Sequence, residues 1–140
     1  GGAGSRYQAR REIRSFWYPT WLAQPAALVP GSRLVDAPPD GLTLEQVAPL
    51  AREYDHVVMH TSTPSFGSDA RVAERLKSEN PEVRVGMVGA HVAVLPDASL
   101  RAARAVDWVG VGEFDYACAE IAEGRPLAVS ASRRRLHRGA

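Results

Sequence analysis

At 140 residues the chain is long enough for one domain with a real core but not comfortably for two, and 45% apolar residues is ordinary for a soluble globular protein. No apolar run approaches bilayer length and the amino terminus, GGAGSRYQARREIR, has no signal-peptide core, which points to the cytosol and to no transmembrane segment. A single cysteine excludes an internal disulfide or a Cys-rich metal site, and the formal charge of +1 joins basic ends to an acidic middle, which argues against a nucleic-acid-binding face on the core.

In chain order, residues 1–24 carry four Arg and one Glu, +3, and hold the aromatic segment FWYPTW, Phe16–Trp21. That segment is expected to pack on the sheet as a hydrophobic plug in preference to covering a ligand, because its four large aromatics would otherwise stay exposed. Residues 25–124 sum to −7 and repeat one pattern from residue 33 onward: a short apolar run, a loop of small and polar residues, then an amphipathic helix. A first strand is expected near Arg33–Asp36. A helix follows in LTLEQVAPLAREY, with Thr43 and Gln46 spaced as a capping box and Pro49 set to kink or shorten it.

The run HVVMHT predicts a strand over 56–61, and a helix from about Asp69 to Glu79 places Val72, Ala73 and Leu76 inward. A third strand lies in VRVGMVG, after which Asp97 is expected to cap a helix carrying Leu100, Ala103 and Val106. DWVGVG, 107–112, is the last expected strand, and Phe114, Ala117, Cys118 and Ile121 share one face of the helix after it, which Gly124 stops. Cys118 on that face is a packing residue and not a nucleophile. Residues 125–140 hold five Arg and no acid, and 128–140 is expected to be a disordered basic tail.

Strands alternating with helices imply an α/β fold, a three-layer open parallel sheet of flavodoxin or Rossmann type, because each parallel return needs a right-handed crossover. Ligands of such sheets sit at the carboxyl edge of the strands. Four loops are expected there: DAPPDG at 36–41, TSTPSFG at 61–67, GAHVAVLP at 89–96 and GEFD at 112–115.

Gly89 and Gly112 allow close backbone approach at strand ends, and Thr61, Ser62 and Thr63 add neutral hydroxyls. The four loops hold no Lys, no Gly-x-Gly-x-x-Gly and no phosphate loop, which disfavours a di- or triphosphate and favours a bulky ligand with few charges. Each residue also has a plainer use. Gly89 can simply turn the chain, His91 can bond a carbonyl, Thr61–Thr63 can cap a helix, and Glu113 suits a helix start. His60 reads as a packed core histidine. No catalytic triad, carboxylate pair or His-Glu-x-x-His helix is present, so no residue is assigned a catalytic or metal-ligating role.

The order of these motifs resembles the amino-terminal cobalamin-binding (B12-binding) domain of B12-dependent radical SAM proteins. Those domains carry a Ser/Thr loop, a Gly-Gly-x-His-type turn, Pro-Glu or Pro-Asp, and a Gly-Glu-Gly-Glu-type turn. The counterparts are Thr61–Thr63, Gly89-Ala90-His91, Pro96-Asp97 and Gly112-Glu113-Phe114-Asp115. The stretch GGAGSRYQARREIRSFWYPTWLAQPA looks more like the hopanoid-biosynthesis-associated members, and the similarity covers roughly 1–127.

The resemblance implies a basic and aromatic segment over 1–24 and a cobalamin-binding domain over 25–127. Cobalamin would be held by Thr61, Ser62, Thr63, Gly89, Ala90, His91, Gly112 and Glu113. It implies a larger parent in which a radical SAM barrel, holding SAM and a 4Fe-4S cluster, acts on a hopanoid or related lipid. The chain then reads as a fragment lacking its first strand, less stable than the parent. Ala90 and Phe114 replace family glycines, which restricts backbone approach there. The Asp-x-His-x-x-Gly signature is absent, so His91 is not claimed as a cobalt ligand, and one cysteine cannot form the barrel's Cys-x-x-x-Cys-x-x-Cys. The alternative reading is a cofactor-free flavodoxin-like interaction or regulatory domain whose loop edge meets a protein partner.

Overall fold

A computed structural model of the chain describes residues 20–125 and the backbone of 130–132. Phe16, Trp17, Tyr18, the basic amino-terminal stretch and the rest of the carboxyl-terminal tail lie outside the described residues.

The first element is a helix, α1 (Thr20–Leu28), where the sequence suggested only an aromatic plug. Pro25 hides it from a periodicity reading: it has no N–H for the Trp21 carbonyl, yet the ring is buried and serves as packing surface. The boundary expected between 24 and 25 falls inside this helix.

The strand expected at Arg33–Asp36 does not form. Its apolar content is two residues, of which Leu34 is exposed, and Pro38 and Pro39 bend the chain into a single helical turn, α2 (Ala37–Asp40), closed by Gly41 at φ 65°. The capping box stands as expected: the Thr43 N–H donates to Gln46 Oε1 at 2.8 Å and opens α3 (Leu44–Val47). Pro49 then acts by changing helix type, and Ala48–Glu53 continues as a 3₁₀ helix.

The remaining expected strands appear as β1 (His56–His60), β2 (Arg84–Val88) and β3 (Trp108–Gly110). Between them lie α4 (Phe66–Glu79), which begins three residues before its expected start, then α5 (Ala90–Val94) and α6 (Pro96–Ala102). Leu95 is the N-cap of α6, with Pro96 at its first position, so Asp97 sits inside the first turn and is not the cap. The helix α7 (Asp115–Ala122) follows, and Gly124 leaves it at φ 76°.

The sheet order is β1-β2-β3-β4, with the first three strands parallel. The fourth, β4 (Ser130–Ser132), pairs antiparallel with β3 inside the tail that was expected to lack structure. Among the described residues β1 is an edge strand, and all five of its residues are half-buried.

Alternation along the strands divides the core between the two faces. Val57, Met59, Val85, Met87 and Val109 join Ala73 and Leu76 of α4, Val92 of α5 and Leu100 of α6. The other face carries Val58, Val88 and Trp108, packed with Leu22 of α1, Phe114, and Cys118 and Ile121 of α7. This gives the three-layer α/β architecture. At the amino edge, Asp107 Oδ2 accepts the Val85 N–H at 2.7 Å and pairs with Lys77 Nζ at 2.9 Å, so one carboxylate ties β3 to β2 and α4.

His56, also on this edge, has a buried Nδ1 without a hydrogen-bond partner. Burial first and the Arg84 charge second lower its pKa from the ordinary 6.5, against opposing pulls from Asp55 and Asp107. The folded chain therefore resists protonation at a site that the unfolded chain protonates freely. Stability from this group is complete above the unfolded pKa and declines as pH falls below it. We expect the urea midpoint to fall between about pH 7.5 and 5.5, and His56→Gln to flatten that slope. An equal slope in the variant would place the linkage elsewhere.

Candidate functional site

Because β1, β2 and β3 are parallel neighbours, the segments leaving their carboxyl ends share one edge. These are Thr61–Ser65, Gly89–His91 and Val111–Phe114. The segment 36–41 follows no strand, so the argument that would place it on this edge does not apply, and three strand-end loops build the site instead of four.

The first two loops are joined through main chain. The Thr61 N–H donates to the Val88 carbonyl at 2.9 Å, extending the β1–β2 ladder one step past the strands. Gly89 takes φ 122° and ψ 171°, a conformation that side chains with a Cβ rarely adopt. A Cβ there would lie 2.2 Å from the Thr61 carbonyl oxygen and 3.3 Å from His60 Nε2. Glycine is thus required because the backbone of the neighbouring loop occupies the space.

Side chains carry the join outward. The Thr61 hydroxyl donates to Asp69 Oδ2 at 2.7 Å, fixing the loop to the first turn of α4, and the residue is fully buried. Thr61 therefore builds the turn from within, a correction to its expected place facing a ligand. Ser62 and Ser65 close the entry to α4: the Ser62 N–H donates to Ser65 Oγ at 3.2 Å, and the two hydroxyls lie 3.1 Å apart. Thr63 is exposed, and its hydroxyl bonds His91 Nδ1 at 3.2 Å across the two loops. The His91 ring rests against Phe66, with centroids 4.5 Å apart. His91 thus bonds a hydroxyl of the neighbouring loop, where a carbonyl in its own turn was the simple expectation. Ala90 is exposed and opens α5.

At the third loop Gly112 has φ 87°, and it and Glu113 are exposed. Phe114 lies half-buried at the start of α7, and a Cβ on Gly110 would stand 3.2 Å from Phe114 Cβ and 3.1 Å from Val88 Cγ1. All eight sequence-derived positions thus fall on one edge. Seven of them reach solvent at least in part, and Thr61 does not.

His60 is not a core histidine. It ends β1 at this edge, half-buried, and stacks on the indole of Trp21 with centroids 6.3 Å apart and planes 15° apart. Sequence reasoning missed this pairing because Pro25 concealed α1, the element that delivers Trp21. The alternation of HVVMH, which sets His60 on the same face as Val58, was the available signal.

The electrostatics are simple. No Lys or Arg stands in 61–67, 89–96 or 111–115, and the charged groups there are Glu113 and Asp115. Beside those two carboxylates, hydroxyls, the imidazoles of His60 and His91 and backbone amides make up the polar surface, a donor set for a large ligand rich in neutral hydrogen-bonding groups. Cys118 offers no chemistry here: it is buried, and burial pushes its thiol up to about 11. Among the described residues no cluster of three or more His, Cys, Asp or Glu could hold a metal ion, and no helix is long and apolar enough to cross a membrane.

The family model described as B12 binding domain matches residues 9–122. No curated protein and no solved structure matches the chain.

Proposed function

The chain belongs to the B12-binding domain family, and from that premise we propose that it is the cobalamin-holding module of a larger enzyme. The observation that carries this reading is the family match together with three glycine- or hydroxyl-bearing loops on one edge of a parallel sheet. Cobalamin is a good chemical partner for that edge. Its corrin periphery is dominated by neutral amides, and the loops offer neutral donors and acceptors with no cation to select a polyphosphate.

Cobalamin would be held by Ser62, Gly89, Ala90 and Gly112 of the strand-end loops, with Thr63 and His91, already bonded to each other, and Glu113 completing the set. Thr61 acts from beneath by fixing the turn to α4. When bound, cobalamin supplies a cobalt centre able to exchange an alkyl group or electrons; this chain supplies position and exclusion of water. No residue here is assigned to cobalt or to catalysis.

The finer reading rests on the resemblance alone. The parent is a B12-dependent radical SAM enzyme, cytoplasmic, whose barrel domain holds SAM and a 4Fe-4S cluster and works on a hopanoid or related lipid. Mixing purified protein with hydroxocobalamin, desalting, and recording the visible spectrum tests the core of the proposal. Corrin absorbance retained at near-equimolar yield is expected. Its absence overturns cobalamin binding and leaves the cofactor-free interaction domain.

A further inference from the structure

We infer that Trp21 is a ligand-contact residue at the carboxyl edge, its indole forming an apolar wall against which the corrin packs. The inference rests on the cobalamin reading above and adds a residue from outside the three strand-end loops.

Trp21 is 65% exposed, although it lies in a helix whose Pro25 is buried and whose Leu22 packs on the sheet. An exposed tryptophan on an otherwise anchored helix is a costly arrangement in water, because the ring carries a large apolar surface. Its position is set by contact: one face stacks on His60, and His60 Nε2 lies 3.3 Å from the point where a Gly89 Cβ would stand. His60 therefore stands between Trp21 and the Gly89 turn, and links the exposed indole to the glycine that shapes the loop edge.

A second aromatic stands on the same layer. Tyr116, in the first turn of α7, is 71% exposed, and α7 packs beside α1. The starts of both helices lie at the carboxyl edge, α1 through the contact of Trp21 with His60 and α7 because it follows β3. The edge thus combines a hydrogen-bonding floor with two exposed aromatics at its side, which suits a ligand that has polar amides around an extended apolar ring system.

Equilibrium dialysis of hydroxocobalamin against the whole chain and its variants tests the assignment. Trp21→Ala is expected to weaken binding by about tenfold or more, Trp21→Phe by about threefold or less, and Leu34→Ala, exposed elsewhere, not at all. A second readout requires no truncated side chain. The indole N–H resonance of Trp21, identified by its loss in Trp21→Phe, should shift when hydroxocobalamin is added to the wild-type chain. Binding by the wild type with an unmoved resonance, or equal affinity in Trp21→Ala, overturns the assignment and leaves the cofactor reading standing. Failure of the wild type to bind overturns both.

Discussion

Gly89→Ala is expected to lower the free energy of unfolding by about 2–4 kcal/mol and to remove cobalamin retention, the larger of its two effects. Two independent penalties act at this position. At φ 122° and ψ 171° a side chain with a Cβ is strained wherever it sits, and the new methyl would stand 2.2 Å from the Thr61 carbonyl oxygen. That oxygen belongs to backbone whose own N–H bonds the Val88 carbonyl, so it cannot swing aside like a flexible side chain. Relief requires the two loops to separate, which breaks the 2.9 Å bond and displaces Thr63 and His91 together. Gly67→Ala is the control: Gly67 lies in α4 with nothing within 4 Å of its virtual Cβ, and alanine there should be neutral or stabilise by up to about 1 kcal/mol. Urea unfolding of the three proteins reads the comparison. Equal midpoints for Gly89→Ala and wild type would mean that the loops do not meet as described.

The contrast between these glycines shows what a sequence discloses. That residues 61–63, 89–91 and 112–113 share an edge follows from strand alternation and the handedness of crossovers, both of which operate on short-range patterns. The three apolar runs are continuous enough to be read, and β1, β2 and β3 fall within one or two residues of them. The weak run at 33–36 fails for the opposite reason: Leu34 and Val35 offer no alternation, and Pro38 and Pro39 follow just after Ala37. The inward turn of the Thr61 hydroxyl depends on Asp69, eight residues away, which no local pattern specifies. The same holds for β4, since its partner strand is more than a turn of helix away in sequence and Ser130–Ser132 carries no apolar signal. Contacts that depend on tertiary proximity, Trp21 on His60 above all, are where pattern reading ends.

Gly86 and Trp108 carry the largest expected loss of stability. Trp108→Ala should cost about 3–5 kcal/mol, a large share of what holds a domain of this size together. The indole is fully buried between β2 and the α1/α7 layer, and a Cβ on its strand neighbour Gly86 would lie 2.1 Å from both Cε2 and Cζ2. Gly86 is therefore the space that the indole fills, and Gly86→Ala alone should cost about 1–3 kcal/mol or more through overpacking. Trp108→Leu removes Cε2, Cζ2 and Nε1, the three atoms that the new methyl would strike. It also removes an indole N–H that is buried without an acceptor, so part of the loss of packing is offset by the desolvated donor that disappears. In that background Gly86→Ala fills part of the vacated volume, and its cost should fall to near zero or change sign. A double-mutant cycle by urea unfolding should then give a coupling of at least about 1 kcal/mol. Additive losses would show that the two residues do not share this space, and that the tight seam between β2 and β3 beneath the loop edge is not what supports it.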